Sequence, residues 1–89
     1  MVMVTVRYWA AARQAAGVAE EKVSAGSLAE ALAAAVTARG SAGDASALRG
    51  VLARSSFLVD GTPVGSRALD SVLLGESAMI EVLPPFAGG

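Results

Sequence analysis

The stretch MVMVTVRYW, residues 1–9, decides the fold because it is the clearest sheet-forming segment of the chain. Its β-branched residues at every second position favour an extended strand whose side chains point alternately to opposite faces. Two sets of residues share these faces: Val2, Val4, Val6 and Tyr8 on one, and Met3, Thr5, Arg7 and Trp9 on the other. The stretch therefore predicts a strand with an inward and an outward face.

The segments that follow this strand predict a second one. AAARQAAG (10–17) lacks strand alternation and ends in a glycine, which is typical of a loop or a short helical turn. VAEEKVS (18–24) resembles a weaker strand with Val18 and Val23 as apolar anchors. We expect the two strands to form a hairpin.

A long helix is predicted to begin after Ser27. Ser27 and Glu30 have the spacing of a capping box, in which the hydroxyl accepts from an unpaired amide and the glutamate reaches back. Apolar residues recur at helical spacing up to Val36, Arg39 suits the carbonyl end of the helix dipole, and Gly40 supplies a left-handed stop. The apolar stripe of this helix requires a sheet to pack on.

Beyond the polar break SAGDAS (41–46), the pattern predicts a shorter helix and then a strand. Apolar residues at helical spacing indicate a helix that ends near Arg54. FLVDG (57–61) is a short strand that ends in a turn dipeptide.

AMIEVL (78–83) is predicted to be the last strand, which Pro84 and Pro85 terminate because proline cannot extend the ladder. Alternation divides its side chains into two sets: Ile80 and Val82 inward, and Met79, Glu81 and Leu83 outward. The order of elements predicts an α+β domain in which one long helix covers one face of a mixed sheet.

Composition excludes several classes of function. The 89 residues fit one domain, and a net charge of -1 with seven scattered Lys and Arg residues argues against a nucleic-acid partner. Because the chain has no Cys and no His, it lacks thiolate nucleophiles, imidazole bases and the usual metal ligands. Its glycines do not form a phosphate-binding motif, and we expect no metal, no membrane partner and a cytoplasmic location.

The C-terminal sequence EVLPPFAGG (81–89) is the strongest functional signal. The two prolines predict an extended exit from the last strand, and Phe86 is placed to contact a partner. A Gly-Gly end without Cβ atoms can enter a narrow channel and deliver its carboxylate to another protein. The alternative is a frayed or appended end without function.

A second candidate surface lies on the outward face of the sheet. If the first and last strands are neighbours, four outward residues form an apolar patch beside the tail: Met3, Trp9, Met79 and Leu83. Alternatively, the second helix or a loop covers this face, or Trp9 belongs to the core. The scattered carboxylates are interpreted as solvated.

Three segments together resemble a known family: VRYWAAARQAAG (6–17), FLVDGTPV (57–64) and IEVLPPFAGG (80–89). In this order and over the whole chain they are similar to the MoaD/ThiS family of ubiquitin-like sulfur carriers. The resemblance is strongest to its molybdopterin synthase branch, of the actinobacterial type that ends in LPPFAGG. It implies a β-grasp (ubiquitin-like) domain over residues 1–83 and an extended Gly-Gly tail over residues 84–89.

The resemblance also implies a mechanism. An activating enzyme, related to ubiquitin-activating enzymes, uses ATP to adenylate the Gly89 carboxylate, which sulfur then converts to a thiocarboxylate. The tail then enters the larger subunit of molybdopterin synthase, which is possible because Gly88 has no side chain. There the sulfur passes to a pyranopterin precursor of the molybdenum cofactor. The residues implied to contact these partners are Trp9, Arg13, Leu83 and Phe86. The resemblance further implies that the chain itself binds no cofactor and has no catalytic activity without its partners.

Other functions remain open at this point. The same chemistry serves carriers for thiazole or cysteine biosynthesis, and a ubiquitin-like modifier would instead join its C-terminus to target lysines. Lys22, the single lysine of the chain, leaves little scope for building chains of such a modifier. In a purely structural domain, Gly88 and Gly89 would be dispensable.

Overall fold

The computed structural model describes residues 1–40 and 45–85, which form five strands and three α-helices. In chain order these are β1 (Val2–Tyr8), α1 (Ala10–Ala16), β2 (Glu20–Ala25), α2 (Leu28–Thr37), α3 (Ala45–Leu52), β3 (Ser56–Val59), β4 (Thr62–Pro63) and β5 (Met79–Leu83). Short 3-10 turns occupy Ala38–Gly40 and Leu69–Ser71. Within these ranges, no helix combines the length and the apolar character needed to cross a bilayer.

The strands form one mixed sheet in the order β2-β1-β5-β3-β4. β1 pairs with β2 as an antiparallel hairpin and with β5 in parallel, so that Thr5 lies beside Met79. β3 runs antiparallel to both β5 and β4. The predicted hairpin and mixed sheet are confirmed, and the first and last strands are neighbours at its centre.

One face of the sheet is buried, as the alternation in β1 predicts. Val4, Val6 and Tyr8 are at most 1% exposed, and Ile80 and Val82 of β5 are fully buried. The helices complete this core with a set of small and aliphatic side chains: Ala12, Ala16, Leu28, Ala31, Leu32, Ala35, Leu48 and Val51. The sheet therefore has a covered inner face and an opposite outer face.

The predicted capping box begins α2. Ser27 Oγ accepts from the Glu30 amide at 3.2 Å, and Glu30 Oε1 accepts from the amides of Ser27 and Gly26 at 3.1 and 2.8 Å. The end of α2 differs from the prediction, because the α-helix ends at Thr37 and a 3-10 turn follows it. Short local contacts thus set the start of the helix where the sequence predicts it.

One element is more regular than the sequence predicts, and the predicted strand with its turn dipeptide is confirmed. AAARQAAG (10–17) forms a complete helix, α1, and Gly17 ends it in the left-handed region with φ 80°. FLVDG is a strand only to Val59, since Asp60 and Gly61 form a two-residue turn with φ of 50° and 81°. Positive φ at both positions is the type I′ pattern, which pairs β3 with the short β4.

A buried polar network closes one end of the helix and sheet layers. Arg39, which is only 6% exposed, donates from Nη2 to Glu21 Oε1 at 2.6 Å, and the Tyr8 hydroxyl donates to the other oxygen of Glu21. Within the described residues, Nε and Nη1 of Arg39 make no hydrogen bond. Arg39 therefore holds the end of α2 against the β1–β2 hairpin, instead of complementing the helix dipole in solvent.

Replacing Glu21 by Gln is expected to lower the free energy of unfolding by about 3–5 kcal/mol, because the Arg39 charge is left buried without its counter-ion. Glu20→Gln is the matched control, since the adjacent Glu20 pairs with Arg7 where both side chains are 39–48% exposed. That pair contributes about 0–1 kcal/mol. Urea unfolding of the two variants measures both values, and equal losses would contradict the assigned role of Glu21.

Tyr8, the single tyrosine of the chain, provides a pH-dependent test of the same network. Burial, and then the hydrogen bond to Glu21, raise the pKa of the Tyr8 phenol above its ordinary value. A raised pKa in the folded state stabilises the domain below the unfolded pKa of about 10, and this contribution is lost as the pH rises further. Ultraviolet absorbance should show phenolate only above pH 10 while the protein is folded. A Tyr8→Phe variant should lack this part of the alkaline loss of stability, and phenolate appearing at the ordinary pKa would contradict the prediction.

Candidate functional site

The tail leaves the sheet beside the end of β1. β5 ends at Leu83 and is followed by Pro84, which is half-buried, and Pro85, which is exposed. Because β1 and β5 are parallel and Tyr8 pairs with Val82, the next residues, Trp9 and Leu83, lie at the same end of the sheet. The tail residues Phe86, Gly88 and Gly89, for which the family resemblance implies the sulfur chemistry and part of the partner contact, lie outside the described residues.

The outer face of the sheet is a candidate docking surface. The helices pack on the opposite face, while Met3 and Trp9 remain 48% and 45% exposed and Met79 and Leu83 are half-buried. One alternative left open by the sequence was that the second predicted helix, which is α3 in the structure, covers this face. In the described part of the chain α3 does not do so. The four apolar side chains do share a solvent-facing surface.

A charged row interrupts that surface. Arg7 and Glu81 are directly opposite each other in the β1–β5 register, and Arg7 forms an ion pair with Glu20 on β2 at 3.1 Å. This row separates Met3 and Met79 from Trp9 and Leu83. The predicted single apolar patch is therefore wrong in detail: the face has two apolar areas with a charged band between them.

Trp9 connects the open face to α1. Its backbone precedes the first turn of the helix, and its carbonyl accepts from the Ala12 amide at 3.0 Å. Its indole Nε1 donates to Glu81 Oε1 at 3.3 Å, which fixes the ring beside β5. Ala10, with φ 49°, makes the sharp change of direction between the strand and the helix. The ring is therefore half-exposed and oriented, not part of the core.

Arg13 lies on the exposed side of α1, next to the Trp9 end of the sheet. It borders an open groove of about 530 Å³ whose other lining residues are Ala10, Gln14, Gly17, Val18 and Ala19. Its guanidinium forms no ion pair within residues 1–40 and 45–85. Of the predicted contact residues, the structure thus places Trp9 and Leu83 together and Arg13 on the adjoining helix.

Several carboxylates that the sequence predicts to be solvated have specific partners. Asp60 Oδ1 accepts from the Met79 amide at 2.9 Å, and Glu76 Oε2 accepts from the Met3 amide at 3.3 Å. Sequence reasoning missed these bonds because each joins segments that are distant in the chain. The only local indication of either bond was the Asp60-Gly61 dipeptide, which predicts that Asp60 lies in a turn.

The side chains of this surface are of types that suit binding to another protein. In the part of the chain that the structure describes, no group of three Asp or Glu side chains could hold a metal ion. Trp9, Leu83, Glu81 and Arg13 instead combine apolar area with charges of both signs beside the exit of the tail. Such a combination suits contact with another protein.

Five strands in this order, with α2 on one face and the C-terminal strand at the centre, define a ubiquitin-like β-grasp domain. One structure with this fold is the small archaeal modifier protein 1 (SAMP1) from Methanosarcina acetivorans, with a TM-score of 0.80 and 25% identity over 100% of this chain and 98% of that one. The putative subunit 1 of molybdopterin converting factor from Pyrococcus furiosus matches with a TM-score of 0.74 and 22% identity, over 97% of this chain and 100% of that one.

A third neighbour is a protein complex of subunits 1 and 2 of the molybdopterin-converting factor from Helicobacter pylori, with a TM-score of 0.67 and 22% identity. The match covers 99% of this chain and 100% of that one. No protein-family model and no curated protein sequence matches the chain. The predicted β-grasp fold is confirmed, and the neighbours include both modifiers and molybdopterin-related subunits.

Proposed function

We propose that this chain is a sulfur carrier of the MoaD/ThiS type and acts as the small subunit of molybdopterin synthase, of the actinobacterial type. One observation carries the proposal: the sequence IEVLPPFAGG (80–89) begins in the central strand of a β-grasp domain that is similar to subunit 1 of molybdopterin converting factor. The body of the domain then presents the tail, and the tail carries the chemistry.

The reacting group in this proposal is the terminal carboxylate of Gly89. An activating enzyme transfers AMP from ATP to the carboxylate and releases pyrophosphate, which turns a poor electrophile into a good one. A sulfur nucleophile then displaces AMP and leaves a thiocarboxylate. Gly88, which has no side chain, allows the tail to enter the large subunit, where the thiocarboxylate sulfur bonds to the pyranopterin precursor. Water then cleaves the acyl–sulfur bond and restores the Gly89 carboxylate. Two loaded tails supply one dithiolene.

The proton transfers of this reaction are assigned to the partners, because the chain contains no His and no Cys. Trp9, Leu83 and Arg13, together with Phe86, are proposed to contact the large subunit and the activating enzyme. The first two support this role by lying where the tail leaves the sheet, and the similarity to a subunit of a two-protein complex supports a large-subunit partner. We place the reaction in the cytoplasm, where ATP is available to the activating enzyme.

A second candidate function is a ubiquitin-like modifier, which the similarity to SAMP1 over the whole chain favours. It would use the same activated carboxylate, but an amine of a target lysine would displace AMP and form an isopeptide bond. A carrier for thiazole or cysteine biosynthesis is the other alternative, and it differs from the first proposal only in the acceptor of the sulfur.

Intact-protein mass spectrometry of the chain from its own cell, before and after incubation with activating enzyme, ATP and a sulfur source, tests the proposal. The expected result is a gain of about 16 Da at Gly89, the difference between sulfur and oxygen in a thiocarboxylate. Deletion of Gly89, or Gly88→Val, should abolish sulfur transfer without loss of stability. Gly75→Ala is the matched control, because its added Cβ meets no atom within 4 Å.

The outcomes separate the candidate functions. Unchanged product formation by the Gly89 deletion would reject the carrier mechanism. The absence of a mass gain, together with lysine-linked conjugates in the same lysate, would favour the modifier instead. A mass gain without transfer to the large subunit would direct the search to the other sulfur acceptors.

Trp9→Ala should weaken binding to the large subunit by about tenfold or more, because a half-exposed aromatic residue at an interface is a typical hot spot. Isothermal titration calorimetry measures the affinity without relying on Trp9 fluorescence. Leu73→Ala is the control, since Leu73 is 78% exposed but lies in the segment paired with Ser27. Full affinity of the Trp9→Ala variant would remove Trp9 from the interface.

A further inference from the structure

We propose that Glu81 determines partner specificity by requiring a basic side chain, most suitably arginine, within the partner surface that covers the outer face of the sheet. This inference rests on the proposed function, because it concerns the docking of the large subunit. The carboxylate lies at the centre of the open face, two residues before the point where the tail leaves the sheet. The proposal adds Glu81 to the contact residues that the family resemblance implies.

Among residues 1–40 and 45–85, no Lys or Arg side chain lies within 4 Å of the Glu81 carboxylate to form an ion pair. Arg7 is directly opposite in the β1–β5 register, but both Nε and Nη2 of Arg7 lie 3.1 Å from Glu20 Oε1. Within the described residues, the hydrogen bond that the Glu81 carboxylate accepts comes from the uncharged indole of Trp9. That bond occupies Oε1, so Oε2 is available to a further donor.

The surroundings of Glu81 on the outer face are otherwise largely apolar. Met79 and Leu83 precede and follow it on the same face of β5, and Leu58 lies opposite it on β3. All three are half-buried. A negative charge surrounded in this way on three sides, with Trp9 beside it, is placed like a polar anchor inside an apolar contact area.

Docking on this face would remove water from the carboxylate. A desolvated charge without a partner opposes association strongly, whereas a hydrogen-bonded pair of opposite charges restores the lost interactions. A guanidinium suits the site because its planar array of donors can bind a carboxylate from one edge. The same carboxylate disfavours a partner that presents an acidic or wholly apolar surface, and this difference is the source of specificity.

The test compares the wild-type chain with Glu81→Gln and Glu81→Lys for binding to the purified large subunit of molybdopterin synthase from the same organism. Glu81→Gln keeps an oxygen that can accept from Trp9, and unchanged Trp9 fluorescence verifies that the ring has not moved. Glu76→Gln is the matched control, because it removes an equal charge from a carboxylate that bonds the Met3 amide away from the row. Affinities are measured by calorimetry at several salt concentrations.

The expected results are affinity weakened about tenfold by Glu81→Gln and about a hundredfold by Glu81→Lys, with a weaker salt dependence for Glu81→Gln. Glu76→Gln should bind like the wild type. Unchanged affinity and salt dependence of Glu81→Gln, while the wild type binds, would overturn this inference alone. Failure of the wild type to bind the large subunit would overturn the proposed function and this inference together.

Discussion

The parallel pairing of β1 with β5 is the constraint on which the rest of the structure depends. It joins the beginning and the end of the described chain at the centre of the sheet, with Thr5 beside Met79 and Tyr8 beside Val82. A parallel pair cannot be made by a tight turn, so the connection between these strands must cross one face. The helices make that crossing and bury the inner face, which leaves the outer face open. The pairing also brings Trp9 and Leu83 to the same end, and thereby determines where the tail emerges.

The parts of the fold that depend on short-range patterns were predictable from the sequence. The alternation in β1, the capping box of Ser27 and Glu30, and the two prolines after β5 each act over a few residues, and each has the predicted effect. The position of the tail beside the outer face could also be predicted, because the only condition is that the first and last strands are neighbours. Resemblance to a family added the β-grasp topology, which local patterns alone left unspecified.

The parts that failed depend on residues far apart in the chain. Arg39 was interpreted from its position at the end of α2, but its counter-ion is Glu21 on β2, a pairing that no local pattern reveals. Alternation indicates on which face a side chain lies, but not which residues of neighbouring strands are side by side. The outer face was therefore predicted as one apolar patch. The register places Arg7 and Glu81 between the apolar residues, and so divides the face into two apolar areas with a charged band between them.

The position of β5 between two hydrogen-bonded neighbours has a mechanical consequence. β1 and β3 both pair along this strand, so tension applied to the segment after Leu83 acts along the strand axis and loads both ladders in shear. Bonds loaded in this way resist together, whereas bonds at a peeling edge would fail one after another. Because resistance to forced unfolding depends on the unfolding rate, such an arrangement slows extraction of the strand. The domain is therefore suited to remain folded while another protein grips and pulls the chain beyond β5.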